Sequence, residues 1–182
     1  MRKLLDEAQL REGVSRLADE LRHHYGDRPI TIVAVLTGSV VFLADLIRRL
    51  EMPIRIGLVQ ARSYRGQATS PGALVINTDM LPDIREQDVL VVDDIFDTGR
   101  TLLELLHEID AMGPSSLRSA VLLRKRGRKE VEIDPDHVGF EIPNQFVVGY
   151  GLDFNDLYRN LPYLAAMQPG DLEAGSPQGP VP

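Results

Sequence analysis

From residue 4 to residue 21 the apolar side chains Leu4, Ala8, Leu10, Val14, Leu17, Ala18 and Leu21 recur at helical spacing among acids and arginines, which predicts an amphipathic helix. After Tyr25-Gly26-Asp27 the pattern changes. ITIVAVL (30–36) is a continuous apolar run, the mark of a strand buried on both faces, and Thr37-Gly38-Ser39 opens a helix over VVFLADLIRRL (40–50). A second strand, IRIGLVQARSY (54–64), runs into RGQATSPG (65–72), too rich in Gly, Ser and Pro to pack and expected to be a mobile loop. VLVVDD (89–94) is the third strand, TLLELLHEIDAM (101–112) the helix after it, AVLLRK (120–125) the fourth strand and FVVGYG (146–151) the fifth. Strands without polar alternation, interleaved with helices, predict a doubly wound α/β fold: a mostly parallel central sheet flanked by helices. One domain over 1–167 is expected. The Pro- and Gly-rich segment 168–182 has little to bury and is expected to be a disordered tail.

Composition narrows the chemistry. With 182 residues, 43% hydrophobic and 26% charged, the chain can fill one core. A net charge of −7 argues against nucleic-acid binding through bulk electrostatics. There is no cysteine, and the histidines His23, His24, His107 and His137 show no zinc-ligand spacing, so disulfide and zinc chemistry drop out. The N-terminus is too charged for a signal peptide and no apolar run is long enough to span a bilayer, so a cytoplasmic protein without membrane contact is expected.

The third strand carries the densest chemistry. In VLVVDDIFDTGRTL (89–102), four apolar residues run into Asp93 and Asp94, and Asp97 follows just before Thr98-Gly99-Arg100-Thr101. Acids that merely cap a strand and start a helix are common, but three of them strain that explanation. Side chains alternate along a strand, so Asp93 and Asp94 should face opposite ways at the carboxyl edge of the sheet, where open α/β folds bind ligands. The loop Asp97 to Thr101 offers backbone amides and two hydroxyls at a helix N-terminus, which suits a phosphate. Acids beside a phosphate cradle imply a metal or a sugar. FDTG alone is too little for an aspartic protease, and neither the P-loop pattern nor the Rossmann glycine fingerprint is present.

Taken whole, VLVVDDIFDTGRTL resembles the phosphoribosyl-pyrophosphate (PRPP) loop of type I phosphoribosyltransferases. VLTGSVVF (35–42), ARSYRG (61–66) and VGFEIPNQFVVGYGLDFNDLYRNLPY (138–163) resemble segments of the hypoxanthine-guanine branch of that family. The resemblance implies a small hood region above the sheet, Mg²⁺ as cofactor, PRPP and a 6-oxopurine as substrates, and a homodimer or homotetramer. It implies that Asp93 and Asp94 face the ribose hydroxyls and magnesium, that Asp97 is the base near purine N7, and that Thr98, Gly99, Arg100 and Thr101 complete the 5′-phosphate loop with it. Leu36, Thr37 and Gly38 would bind pyrophosphate through the backbone, across a cis peptide at Leu36–Thr37, with Arg159 as its cationic partner. Lys125 would donate to the purine 6-oxo group, Phe146 would stack on the base, and Ile95, Val147 and Asp153 would complete its pocket. Asp153 would also anchor a second magnesium, and Ser63 and Tyr64 would tip a lid.

On residue type alone, Lys125 in RKRGRK suggests a solvated basic face, Phe146 a core residue, Asp153 a turn and Arg159 an ordinary surface arginine. Two positions depart from the family: Thr37 stands where a basic residue is frequent, and Asp93 where Glu is frequent. Two rivals share the fold: a PRPP-sensing regulator that binds RNA or protein, and a transferase preferring xanthine. The acidic balance and the set Asp97, Lys125, Phe146 and Arg159 favour an enzyme of purine salvage making IMP or GMP.

Overall fold

The computed structural model describes residues 1–63 and 74–174. The chain runs β1 (Arg2–Leu5), α1 (Glu7–Tyr25), β2 (Ile30–Leu36), α2 (Val40–Ile47), β3 (Ile54–Ser63), β4 (Leu74–Met80), β5 (Asp88–Phe96), α3 (Arg100–Asp110), β6 (Ser116–Lys125), β7 (His137–Ile142), β8 (Val147–Val148), β9 (Leu164–Ala166) and α4 (Pro169–Ala174). The six-stranded sheet has the order β4-β3-β2-β5-β6-β7. Its pairs are parallel except β3 with β4. A three-stranded antiparallel sheet, β1-β9-β8, forms the small second layer.

The apolar runs become strands because both sheet faces are covered. In β2, Ile32 and Ala34 pack with Leu10, Leu17 and Leu21 of α1 and Phe42 and Leu46 of α2. Val33 and Val35 point the other way, toward Leu102, Leu105 and Ile109 of α3. The strand order reverses between β2 and β5, so the carboxyl ends of these two strands flank the switch point at which doubly wound sheets bind ligands.

Two expectations are corrected. The first helix begins at Glu7, because the Asp6 carboxylate accepts from the Gln9 amide while the Gln9 side chain accepts from the Asp6 amide, a capping box. Leu4 and Leu5 lie instead in β1, paired with β9. FVVGYG does not join the central sheet. Only Val147–Val148 is a strand, it belongs to the small sheet, and Gly149 and Gly151 with φ of 95° and 102° turn the chain away. The fifth parallel strand is β7. The segment expected to be a disordered tail opens with α4, where the Met1 ammonium pairs with Asp171 at 2.6 Å; residues 175–182 lie outside the described residues, as do Tyr64 and the loop 65–72. Among the described residues no helix is long and apolar enough to cross a membrane.

Candidate active site

The ends of β2 and β5 open onto a cleft of about 310 Å³ lined by Leu36, Thr37, Gly38, Asp93, Asp94, Ile95, Asp97, Thr98, Gly99, Thr101, Asp153 and Arg159, among others. A second lobe of about 200 Å³ adjoins it, lined by Asp94, Ile95, Lys125, Phe146, Val147, Leu152 and Asp153. The lobes share Asp94, Ile95 and Asp153. Residues spread over more than a hundred positions of sequence thus meet around one two-part cavity, because the parallel strands all end on the same edge.

The loop of residues 36–38 is built by close approach. The Leu36–Thr37 peptide is cis. A Cβ at Gly38 would fall 1.7 Å from Asp94 Oδ2, so only glycine lets the loop and the acid pack together. Ser39, fully buried, donates to the Val35 carbonyl at 2.5 Å and fixes the loop from beneath.

Asp93 is the one charged side chain in the buried set of the described residues, 7% exposed. Its Oδ1 accepts from the Asp94 amide at 2.9 Å. Burial, and then the neighbouring Asp94 charge, push the Asp93 carboxyl well above the usual carboxylate range. Burial also pushes Asp94 up, opposed by hydrogen bonds from Asp93 and the local backbone and by the Arg159 charge. The two acids do not diverge as strict alternation requires; both line the larger lobe. In β5, Val92 and Ile95 share one cluster while Val91 and Phe96 share the other, so the alternation breaks between residues 92 and 95.

Asp97 lies beyond the strand. Lys125 Nζ donates to its Oδ2 and Arg128 Nε to its Oδ1, each at 2.9 Å. Burial alone would raise this carboxyl, but the hydrogen bonds and charges of Lys125 and Arg128 outweigh it and hold it below the usual range. Gly99, with φ of 87°, begins α3. The Arg100 side chain turns out of the cleft to Glu130 at 2.8 Å, leaving the loop's cleft-facing groups to Asp97, Thr98, Gly99 and Thr101.

Phe146 is 45% exposed and meets Phe154 edge to face, centroids 5.5 Å apart at 82°. Phe146 is therefore an open aromatic at a pocket wall, braced by a second ring, and not a core residue. Arg159 donates to the Gly151 carbonyl at 2.8 Å and pairs with Asp153 at 2.8 Å. Ser63 ends β3. Sequence reasoning missed Arg128 and Phe154. For Arg128 the signal was Gly127 inside the basic run, a turn with φ of 70° that brings the chain back over Asp97.

Residues 2–155 match the family described as the phosphoribosyl transferase domain. A hypoxanthine-guanine phosphoribosyltransferase of Staphylococcus epidermidis is 38% identical over 165 residues, covering 91% of this chain and 92% of that protein. The crystal structure of a Bacillus anthracis hypoxanthine-guanine phosphoribosyltransferase superposes with a TM-score of 0.84 at 37% identity, over 91% of this chain and 96% of that one. A Trypanosoma cruzi hypoxanthine phosphoribosyl transferase gives 0.89 at 35% identity, over 96% and 94%. The chain that carries this two-lobed cleft at its switch point therefore belongs to the hypoxanthine-guanine phosphoribosyltransferase family.

Proposed function

We propose that the protein transfers the 5-phosphoribosyl group of PRPP to N9 of hypoxanthine or guanine, releasing pyrophosphate. One observation carries the choice of base: Lys125, in the smaller lobe, is 2.9 Å from Asp97, in the larger. A 6-oxopurine presents O6 and N7 side by side on one edge, so a donor and a base held next to each other match that edge. Adenine carries an amino group where Lys125 needs an acceptor.

In this reading Thr98, Gly99 and Thr101 receive the 5′-phosphate at the start of α3, and the backbone at Thr37-Gly38 with Arg159 receives the pyrophosphate. Thr37 brings no charge, but a contact made through the main chain does not need one. Phe146 stacks on the purine and Val147 borders its edge. As N9 forms its bond to the anomeric carbon, the bond from that carbon to the pyrophosphate oxygen breaks. Asp97 accepts the N7 proton, a general-base role worth about 10²–10⁴-fold in rate.

The residues present fit magnesium. Asp93, Asp94 and Asp153 supply hard oxygen donors, and the adjacent carboxyls of the first two, Asp93 buried and Asp94 partly so, repel as ions and have no cation hydrogen-bonded to them among the described residues. Magnesium typically takes one or two carboxylates and completes its shell with water and substrate phosphates. When bound it would neutralise charge on the diphosphate leaving group. A homodimer or homotetramer in the cytoplasm is the assembly and setting we infer from the family, and Ser63-Tyr64 as the lid tip remains part of this reading.

The test is to incubate the protein with PRPP, magnesium and each of hypoxanthine, guanine, xanthine and adenine, and to follow nucleotide formation. Nucleotide is expected with hypoxanthine and guanine and not with adenine. Absence of nucleotide with every 6-oxopurine, together with RNA retained in a filter-binding assay, would replace the enzyme by a PRPP-sensing regulator.

A further inference from the structure

Asp97 is gripped from two sides by cations that differ in what else they must do. Lys125 comes from the end of β6, its side chain 12% exposed, and it lines the purine lobe. Its single ammonium is wanted by the 6-oxo group as well as by Asp97 Oδ2. Arg128, three residues on, lines neither lobe, and its Nε donates to the other oxygen, Oδ1. When Lys125 turns to the purine, Oδ2 is released for N7 while Oδ1 keeps its partner.

We propose that Arg128 is a positioning residue for the base: through Oδ1 it holds Asp97 ionised and in place while Lys125 passes from Oδ2 to the 6-oxo group of the incoming purine. The proposal rests on the substrate reading given above. Recognition and base activation then become one event. A purine without a 6-oxo acceptor leaves Lys125 on Asp97, and both carboxylate oxygens stay occupied.

The charged groups around Asp97 are few. Lys125 and Arg128 donate to it directly. Glu130 lies near through its amide, which donates to the Thr98 carbonyl at 2.9 Å, and its carboxylate is engaged by Arg100. An exposed ion pair often contributes nothing measurable, and the Arg128 side chain is 40% exposed. What sets this pair apart is its geometry, an Nε bond to one oxygen of a carboxylate whose other oxygen is bonded to Lys125.

Arg128→Ala and Arg128→Lys decide the matter. Steady-state rates with hypoxanthine and PRPP are measured from about pH 3 to 8, so that the acidic limb of a carboxylate held below its usual range falls inside the window. Loss of one charge-assisted hydrogen bond should lower kcat about tenfold at the acidic end. Arg128→Ala should also move the acidic limb to higher pH, leave KM for PRPP unchanged, and be largely rescued by Arg128→Lys. Carboxyl ¹³C NMR of the substrate-free protein, with Asp97 assigned by loss of its signal in Asp97→Asn, should show Asp97 titrating at higher pH in Arg128→Ala. An unmoved acidic limb with an unmoved carboxyl titration overturns the proposal, as does a pH-independent loss that lysine fails to restore. If the wild-type protein makes no nucleotide, the substrate reading falls instead, and the carboxyl titration still decides whether Arg128 holds Asp97.

Discussion

Replacing Gly38 by alanine tests whether the loop of residues 36–38, proposed to bind pyrophosphate, and the acid pair are built as one unit. The new Cβ would lie 1.7 Å from Asp94 Oδ2 and 2.6 Å from its Cγ, where real carbons do not come within 3.0 Å. The loop cannot retreat, because Gly151 already packs so closely on the Gly38 carbonyl that a Cβ there would be 2.2 Å away. The Asp94 carboxylate must therefore withdraw by more than about 1 Å, and misplacement on that scale costs on the order of 100-fold in kcat/KM for PRPP. Stability should change less. Gly38 is not among the glycines with positive φ, so alanine gains about 0.4–1 kcal/mol from the unfolded chain against about 1–3 kcal/mol for overpacking. The net loss of about 1 kcal/mol corresponds to a Tm lower by about 3 °C. Initial rates at varied PRPP and a thermal melt measure the two effects, and the double variant Gly38→Ala/Asp94→Ala separates them. Removing the clashing carboxylate should restore the Tm and leave activity lost, a non-additive pair. A single variant whose kcat/KM for PRPP stays within about threefold of wild type, or a stability loss that persists unchanged in the double variant, would refute this account of the loop.

Asp97→Asn should lower kcat by about 10²–10⁴-fold while KM for PRPP stays within a few-fold, and an unchanged kcat would remove Asp97 from the proton transfer. The same variant has a pH signature in stability. Because Lys125 and Arg128 hold the folded-state carboxyl below its unfolded value, their stabilisation is present above the unfolded carboxyl range and is lost as pH falls through the folded pKa. Melts should thus show the variant less stable at neutral pH, by no more than about 1 kcal/mol for so exposed a pair, with the difference closing in acid. Phe146→Ala should raise KM for hypoxanthine by roughly tenfold or more, the worth of one base stack, with stability nearly unchanged because the ring is 45% exposed; a lowered Tm with unchanged KM would return Phe146 to the core. Asp93→Asn removes a carboxyl whose charge is opposed by burial and by Asp94, so it should raise Tm in magnesium-free buffer at alkaline pH, where that carboxyl must ionise, while abolishing transfer, and a lowered Tm there would show that the charge is compensated.

The parts of the fold legible in the sequence were those set by local pattern. β2, β5 and the core of β6 are continuous apolar runs because α1 and α2 cover one face and α3 the other. The small sheet was not legible, since it joins residues 2–5 to 147–148 and 164–166, and pairing across such separations leaves no mark on a local period. Leu4 and Leu5 fit the helical spacing of α1 as well as a strand, and only the Asp6 cap tells them apart. HVGFEI reads poorly as a buried strand because it lies at the sheet edge, with His137 reaching Glu20 rather than the core. In the site, resemblance singled out Lys125 and Phe146 against what their residue types suggest, and both line the smaller lobe. Arg128 was hidden by its setting: one arginine in a basic run looks like any other until the turn at Gly127 aims it at an acid.

The resting site keeps its cations paired with its own acids, Lys125 and Arg128 with Asp97, and Arg159 with Asp153. Such pairing orients the groups before substrate arrives, so that little reorganisation is left for the reaction itself. It also makes selectivity a matter of exchange. A ligand must offer Lys125 an oxygen at least as good as a carboxylate's at the place where O6 would sit, and an apolar or amino substituent there leaves the ammonium with the partner it already has. Discrimination by an unmet polar group can be large, since a site built to hydrogen-bond one substituent rejects analogues lacking it far more strongly than a hydrophobic pocket rejects a change of size. On the function proposed above, a preference for 6-oxopurines would be set less by the shape of the smaller lobe than by Asp97 itself, whose hold on Lys125 is the competitor an incoming base would have to displace.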